Sequence, residues 1–163
     1  VTKFERNKLI NRVFGNSIKN TFKISGANFI DNSDKVEAAA SHSGYEKNFN
    51  CIHKRIISID KSTSNLSGYD EIIKTADGKP INYSLRFHLY PGLLAVKTMG
   101  GDSVLIQLSK KKSLIFTVDN EIVLLERSIF LGTNKILDNT CVTVSGNLVN
   151  KNKKIHWEIK KNI

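Results

Sequence analysis

The chain has 163 residues, of which 40% are hydrophobic and 25% charged, and a formal net charge of +10. That length fits one domain, which buries roughly 70% of the surface its unfolded form exposes and needs no disulfide or metal staple. No apolar run approaches the roughly 20 residues of a membrane-spanning helix, and no charged-then-apolar leader opens the chain, whose first residue, a valine, reads as the start of an excised or processed product.

Residues 1–35 mix charge, asparagine and isolated apolar positions, with FKI at 22–24 and NFI at 28–30 as the only short strand candidates. They are expected to form an irregular N-terminal lead-in. From Val36 to residue 163, short runs rich in Val, Ile, Leu, Phe and Thr alternate with turn chemistry, and no sustained helical period appears. Strands are expected at 36–40, 51–60, 66–74, 81–90, 93–98, 103–109, 113–118, 121–131, 140–146 and 154–160, separated by turn signals such as ADGKP, YPG, GGD and SKKK. Close spacing with hairpin-like connections predicts an all-β fold, an antiparallel β-sandwich in two layers, over residues 36–163. Lys110, Lys111 and Lys112 fall at a hairpin tip, where lysines discourage edge pairing and aid solubility. In IHWEIK, Ile155, Trp157 and Ile159 alternate against His156, Glu158 and Lys160, so Trp157 is expected to seal the core. Cys51 and Cys141 stand far apart in strand-like settings and read as two buried thiols.

Several chemistries find no anchor. Neither a glycine-rich phosphate loop nor a nucleophile elbow is present. Asp70, Glu71, Asp119 and Glu121 fall at strand edges or turns, where solvation explains them, so no carboxylate pair for glycoside hydrolysis emerges. The histidines, at 42, 53, 88 and 156, offer no HxH or HxxxH pair and the cysteines no CxxC, so no metal site and no cofactor are expected. His42 and His53 suit structural hydrogen bonds in a loop and at a strand start, and His156 suits an exposed strand position. The positive charge points to a polyanion. Lysine dominates it, however, and only five arginines are present, so surface solvation accounts for the charge equally well.

The strand INYSLRFHLYP, from Ile81 to Pro91, carries the most specific signal. Its alternation sends Ile81, Tyr83, Leu85, Phe87 and Leu89 to one side and Asn82, Ser84, Arg86, His88 and Tyr90 to the other. The polar side therefore presents a cation, an imidazole and a phenol in consecutive same-face positions, a chemistry suited to gripping a carboxylated or sulfated sugar. Upstream stand EAAASHSGY, ending at Tyr45, and HKRIISID at 53–60; downstream stand EIVLLERSIFLGTNK and IHWEIKK. In this order and spacing, from about residue 36 to the end, they resemble the C-terminal β-domain of the heparinase II/III family of polysaccharide lyases. The likeness lies in a His, a small residue and Gly-Tyr, then a His-basic-Arg strand, then an Arg-Phe-His-Leu-x-Pro strand.

The resemblance implies a parent enzyme that cleaves uronic-acid-containing polysaccharides, glycosaminoglycans or alginate, by β-elimination in a bacterium, in the periplasm or the cytoplasm. In that family an upstream helical toroid holds the catalytic tyrosine and histidine, and a further histidine stands in an Ala-His-Asn-Thr context where the β-region begins. The nearest string here is IKNTFKISG at 18–26, with Lys19 in the place of that histidine, and the role is not carried onto it. The true motif is expected to precede this chain. Tyr45, His53, Arg55, Arg86 and His88 match family positions and are the substrate-binding candidates; no catalytic residue is assigned. The chain alone is expected to be inactive and to support the cleft. Its expected partners are acidic polysaccharide and the parent's toroid, with no membrane. Two alternatives stay open: a stand-alone module that binds acidic polysaccharides, and a basic nucleic-acid-binding β-domain. Against the second, aromatics are not interleaved with basic residues in a stacking strand.

Overall fold

The computed structural model describes residues 3–4, 12–13, 18–19, 22–132, 134–149 and 151–162. Its short strands β1 (Lys3–Phe4) and β2 (Ile18–Lys19) pair with each other. β3 (Ile24–Asp31) and β4 (Lys35–His42) follow, then a single helical turn, α1 (Glu46–Phe49). α1 ends at Asn50, whose φ of 51° is the left-handed conformation that asparagine tolerates, and this reverses the chain into the next strand. The remaining strands are β5 (Cys51–Asp60), β6 (Leu66–Lys74), β7 (Ile81–His88), β8 (Leu94–Lys97), β9 (Ser103–Ser109), β10 (Lys112–Val118), β11 (Val123–Leu131), β12 (Ile136–Leu148) and β13 (Lys153–Asn162).

All pairing is antiparallel, and two layers result. Eight strands form one sheet in the order β3-β4-β5-β6-β13-β10-β9-β8, and three form the other in the order β11-β12-β7. The chain is an all-β sandwich, as its alternating patterns predict. Inward-facing residues of both sheets build the core: Leu85, Val123, Val142 and Val144 from the small sheet meet Val104, Ile106, Phe116, Val118, Ile155 and Trp157 from the large one. The Phe87 ring joins the layers, 4.9 Å from Phe116 and 5.1 Å from Trp157. Trp157 is 5% exposed, so it does seal the core. Cys51 and Cys141 are buried free thiols, and burial pushes the Cys51 thiol up from its ordinary pKa.

Two elements differ from the sequence expectation. β3 lies inside the stretch read as irregular, and its register shifts between Ser25 and Asn28. That irregularity separates the two apolar fragments and hides the period of two. β12 is longer than the expected 140–146, because its first residues pair with the end of β11 out to Leu131↔Ile136. Ile129, Leu131 and Ile136 are more than half exposed there, so no inside-outside alternation marks the extension.

The sheets have unequal widths, and this positions the site. β7 is an edge strand of the small sheet, and beside it the inner faces of β4, β5 and β6 continue. A cavity of about 380 Å³ opens there.

Candidate functional site

In β5 the period of two sends Cys51, His53, Arg55 and Ile57 inward, so an imidazole and a guanidinium enter a strand face that is otherwise core. Such groups require partners. Across the β5–β6 ladder Arg55 pairs with Asp70, which shares its strand face with Leu66, Gly68 and Ile72. Asp70 is therefore inside, at 0% exposure, and the reading of it as a solvated strand-edge carboxylate is corrected. Its Oδ1 accepts from Arg55 Nε at 2.7 Å and from His53 Nε2 at 2.6 Å. Oδ2 accepts from Arg55 Nη2 at 3.1 Å and from Trp157 Nε1 at 2.9 Å. Burial alone pushes this carboxyl up, but the His53, Arg55 and Trp157 donors outweigh it and hold the pKa below the ordinary aspartate value. Arg55 also lies over the Phe87 ring, 5.5 Å from its centroid, which ties the network to β7.

The hydrogen bonds determine the protons of the two histidines. The Gly44 N–H donates to His42 Nδ1 at 3.2 Å, so that nitrogen is an acceptor and the His42 proton sits on Nε2. It points at His53 Nδ1, 3.1 Å away. His53 then carries its proton on Nε2 and gives it to Asp70. A chain of contacts thus runs from the Gly44 amide through both imidazoles to the carboxylate. Arg55 is the permanent cation paired with Asp70. Burial, then the neighbouring His53, hold the His42 pKa below the ordinary histidine value.

Tyr45 stands at the mouth, 42% exposed, with its ring 5.3 Å from His42 and 6.4 Å from Phe49. Across the cavity β7 contributes Asn82, Tyr83, Ser84 and Arg86. The Tyr83 hydroxyl donates to Glu121 at 3.2 Å, and burial followed by that carboxylate pushes its pKa up to about 12. Gly146, opposite Tyr83 in the β7–β12 ladder, leaves room for the phenol, since a Cβ there would lie 2.6 Å from its Cζ. Arg86 has half its side chain exposed and reaches Glu126 of β11 at 3.5 Å.

Four of the five sequence candidates, Tyr45, His53, Arg55 and Arg86, thus line one cavity. His88 does not. It is exposed on the outer face of the small sheet, where its Nδ1 meets Ser128 Oγ at 3.1 Å. Sequence reasoning missed Asp70 as the organising group, although the alternation in LSGYDEIIK already placed it on the side of Leu66 and Ile72. It also treated His42 as a loop residue apart from His53, whereas the β4–β5 register sets the two opposite each other. Among the described residues no group of three or more His, Cys, Asp or Glu side chains is placed to hold a metal ion, and no helix is long and apolar enough to cross a membrane.

The family model described as "Heparinase II/III-like, C-terminal" matches residues 4–158. The chain belongs to the heparinase II/III-like family. The matched region is that family's C-terminal domain, and it reaches back across the residues expected to be a lead-in. Solved heparinases share the fold. A heparan sulfate lyase, HepC from Pedobacter heparinus, superimposes with a TM-score of 0.71 at 14% identity over 85% of this chain and 22% of its own. The heparinase III BT4657 gene product gives 0.67 at 13% identity over 83% and 20%, and a further heparinase III gives 0.66 at 15% over 86% and 21%. The chain therefore spans about a fifth of the length of these heparinases. No curated protein sequence matches it.

Proposed function

We propose that this chain is the C-terminal β-sandwich module of a polysaccharide lyase that cleaves a uronic-acid-containing polymer by β-elimination. In this reading it walls and electrostatically supports the substrate cleft and does not supply the main proton-transfer groups. One observation carries the proposal: Tyr45, His53, Arg55 and Arg86, each matched to the family from sequence, converge on a single cavity from two different sheets.

β-Elimination requires that the carboxylate beside C5 be neutralised, the C5 proton removed and the oxygen leaving C4 protonated. Arg86 is the cavity's available cation, half exposed and held only at 3.5 Å by Glu126. Its guanidinium suits bidentate contact with a substrate carboxylate. Tyr45 offers a hydroxyl and an exposed ring face for a sugar. His53 and Arg55 act one step back, because their donors are committed to Asp70 and hold the cavity wall in shape. His88, on the outer face, contacts polymer only where the glycan passes over the edge of β7. Proton transfer from this chain is disfavoured by the same geometry: His42 is the imidazole beside Tyr45, and both its ring nitrogens are engaged. The upstream helical toroid of the parent is the proposed source of the catalytic pair. A nucleic-acid role has less support, since the Tyr69 ring on the outer face of the large sheet is covered by Lys154, 3.7 Å from its centroid.

Incubating the chain with heparan sulfate, hyaluronan and alginate, and following the ultraviolet absorbance of the unsaturated product, is expected to give no sustained rise. A rise proportional to protein concentration would put the catalytic groups inside this chain and overturn the supporting role.

A further inference from the structure

A second cavity, of about 570 Å³, adjoins the first. The two share a wall, because Phe49, Ile81 and Asn82 line both. Phe49 holds that place through the helical turn: Tyr45 and Phe49 are four residues apart, the spacing that sets two side chains on one helix face, and the Phe49 N–H donates to the Tyr45 carbonyl at 2.9 Å. The half-exposed Phe49 ring thus divides the cavities. Beyond it the wall is basic, with Lys74 from the end of β6 and Lys79 from the loop that leads to β7. Lys74 stands opposite Cys51 in the β5–β6 ladder, and its Nζ donates to the Phe49 carbonyl at 3.4 Å, which sets the ammonium at the shared wall. An ammonium carries three donors, and this long contact engages one. The same charge is felt at Cys51, a residue of the first cavity, where it opposes the upward push of burial on the thiol. Asn50 fastens the loop that carries Lys79 to the end of α1: its Nδ2 donates to the Asp77 carbonyl at 3.4 Å, and its own carbonyl accepts from the Thr75 N–H at 2.9 Å.

We propose that this second cavity is a further subsite for the polysaccharide, in which Lys74 and Lys79 take the carboxylate or sulfate ester of a sugar further along the polymer from the one held at Arg86. The inference rests on the cleft reading above and extends its length. An acidic polymer repeats its charges at intervals, so two adjoining cavities that each carry cations match it, whereas a small anion would use only one. The cations differ in kind. The Arg86 fork suits a planar carboxylate, while an ammonium is a point charge that meets a tetrahedral sulfate or a carboxylate equally well. Between them the Phe49 ring offers an apolar surface against which the C–H face of a sugar packs, and Asn48 and Asn50 supply amides for hydroxyl groups in the second cavity. Each lysine contact at such a rim is weak. Once the first sugar is seated, however, the second contact forms within one complex and adds to the first.

The test titrates the whole chain with a heparan sulfate disaccharide and with a longer heparan sulfate oligosaccharide at low salt. The double substitution Lys74→Gln with Lys79→Gln is expected to weaken the oligosaccharide about three- to tenfold and to leave the disaccharide, held at Arg86, unchanged. Lys79→Gln alone, at an exposed loop position, is expected to give part of that loss at an unchanged melting temperature, which separates the effect from any disturbance of the half-buried Lys74. Removing the same charge elsewhere, by Lys110→Gln with Lys111→Gln at the hairpin tip that lines neither cavity, is expected to change neither affinity. Hyaluronan oligosaccharides, which carry carboxylates and no sulfate, identify the group: the same loss with hyaluronan assigns the subsite to uronates, and a loss confined to heparan sulfate assigns it to sulfate esters. Wild-type affinity of the double variant for both oligosaccharides, or an equal loss from the hairpin-tip substitutions, would overturn the second subsite while the disaccharide still reports an intact cleft. Failure of every fragment to bind wild-type protein would overturn both.

Discussion

Asp70→Ala is expected to lower the unfolding free energy by about 3–5 kcal/mol, the largest single effect in this domain. The carboxylate is fully buried and satisfies three side chains from two other strands: His53, Arg55 and Trp157. Removing it leaves the Arg55 charge without a counter-ion and the indole N–H without an acceptor, and each stranded group costs more than its hydrogen bond contributed. The depressed pKa adds a pH signature. A carboxyl whose folded pKa lies below its unfolded value contributes stability that is complete above the unfolded pKa, about 3.9, and is lost as pH falls through the folded pKa. Wild-type protein is therefore expected to lose stability below about pH 4, and Asp70→Asn, weaker at neutral pH, is expected to show a shallower acid loss. Urea titrations across that range measure both. An Asp70→Ala protein as stable as wild type would mean that the network does not form.

Gly68→Ala is expected to cost about 1–3 kcal/mol or more, despite adding a single methyl group to a strand. A Cβ at this position would lie 2.6 Å from Trp157 Cζ2 and 2.9 Å from its Cη2, and would also press on the backbone carbonyl of Ile56. Gly68 pairs with both Trp157 of β13 and Ile57 of β5, so neither neighbour moves without disturbing the ladder. The indole also carries the Nε1 donor to Asp70, and displacing it weakens the charged network in the same step. The cost arises from contact and not from backbone conformation, because the glycines with positive φ are Gly26, Gly92 and Gly101. Thermal melts of Gly68→Ala beside Gly92→Ala check this: at Gly92, where φ is 86° and no atom lies near the added Cβ, the penalty is conformational alone. A Gly68→Ala melt superimposable on wild type would contradict the described indole packing.

Much of the fold was legible because a sandwich with one solvated face writes itself as alternation. β5, β6 and β9 begin and end where their patterns do, and the apolar side of β7 enters the core as its sequence reads. β3 was obscured because an edge strand with a register shift and mostly exposed side chains carries no period. The site was legible only in part. Local motifs pointed to Tyr45, His53, Arg55 and Arg86, but their convergence depends on β7 standing at the edge of a three-stranded sheet while β4 and β5 extend past it. That is a property of topology, which no single strand records. Asp70 illustrates the opposite error: a charged residue was assigned to solvent by type although its parity placed it inside, among Gly68 and Ile72, beside the two basic residues that neutralise and bind it.

The proposed cleft role is tested most directly by the salt dependence of heparan sulfate binding to the chain, measured beside a neutral glucan and beside Arg86→Ala. Exposed ion pairs contribute about 0–1 kcal/mol each and weaken as the Debye length shrinks from about 30 Å to about 8 Å between dilute and physiological salt. The expected result is binding of heparan sulfate that declines steeply with salt, no binding of the glucan, and weaker binding by Arg86→Ala at an unchanged melting temperature. Equal affinity for the charged and the neutral polymer, or an Arg86→Ala protein that binds as wild type does, would contradict it.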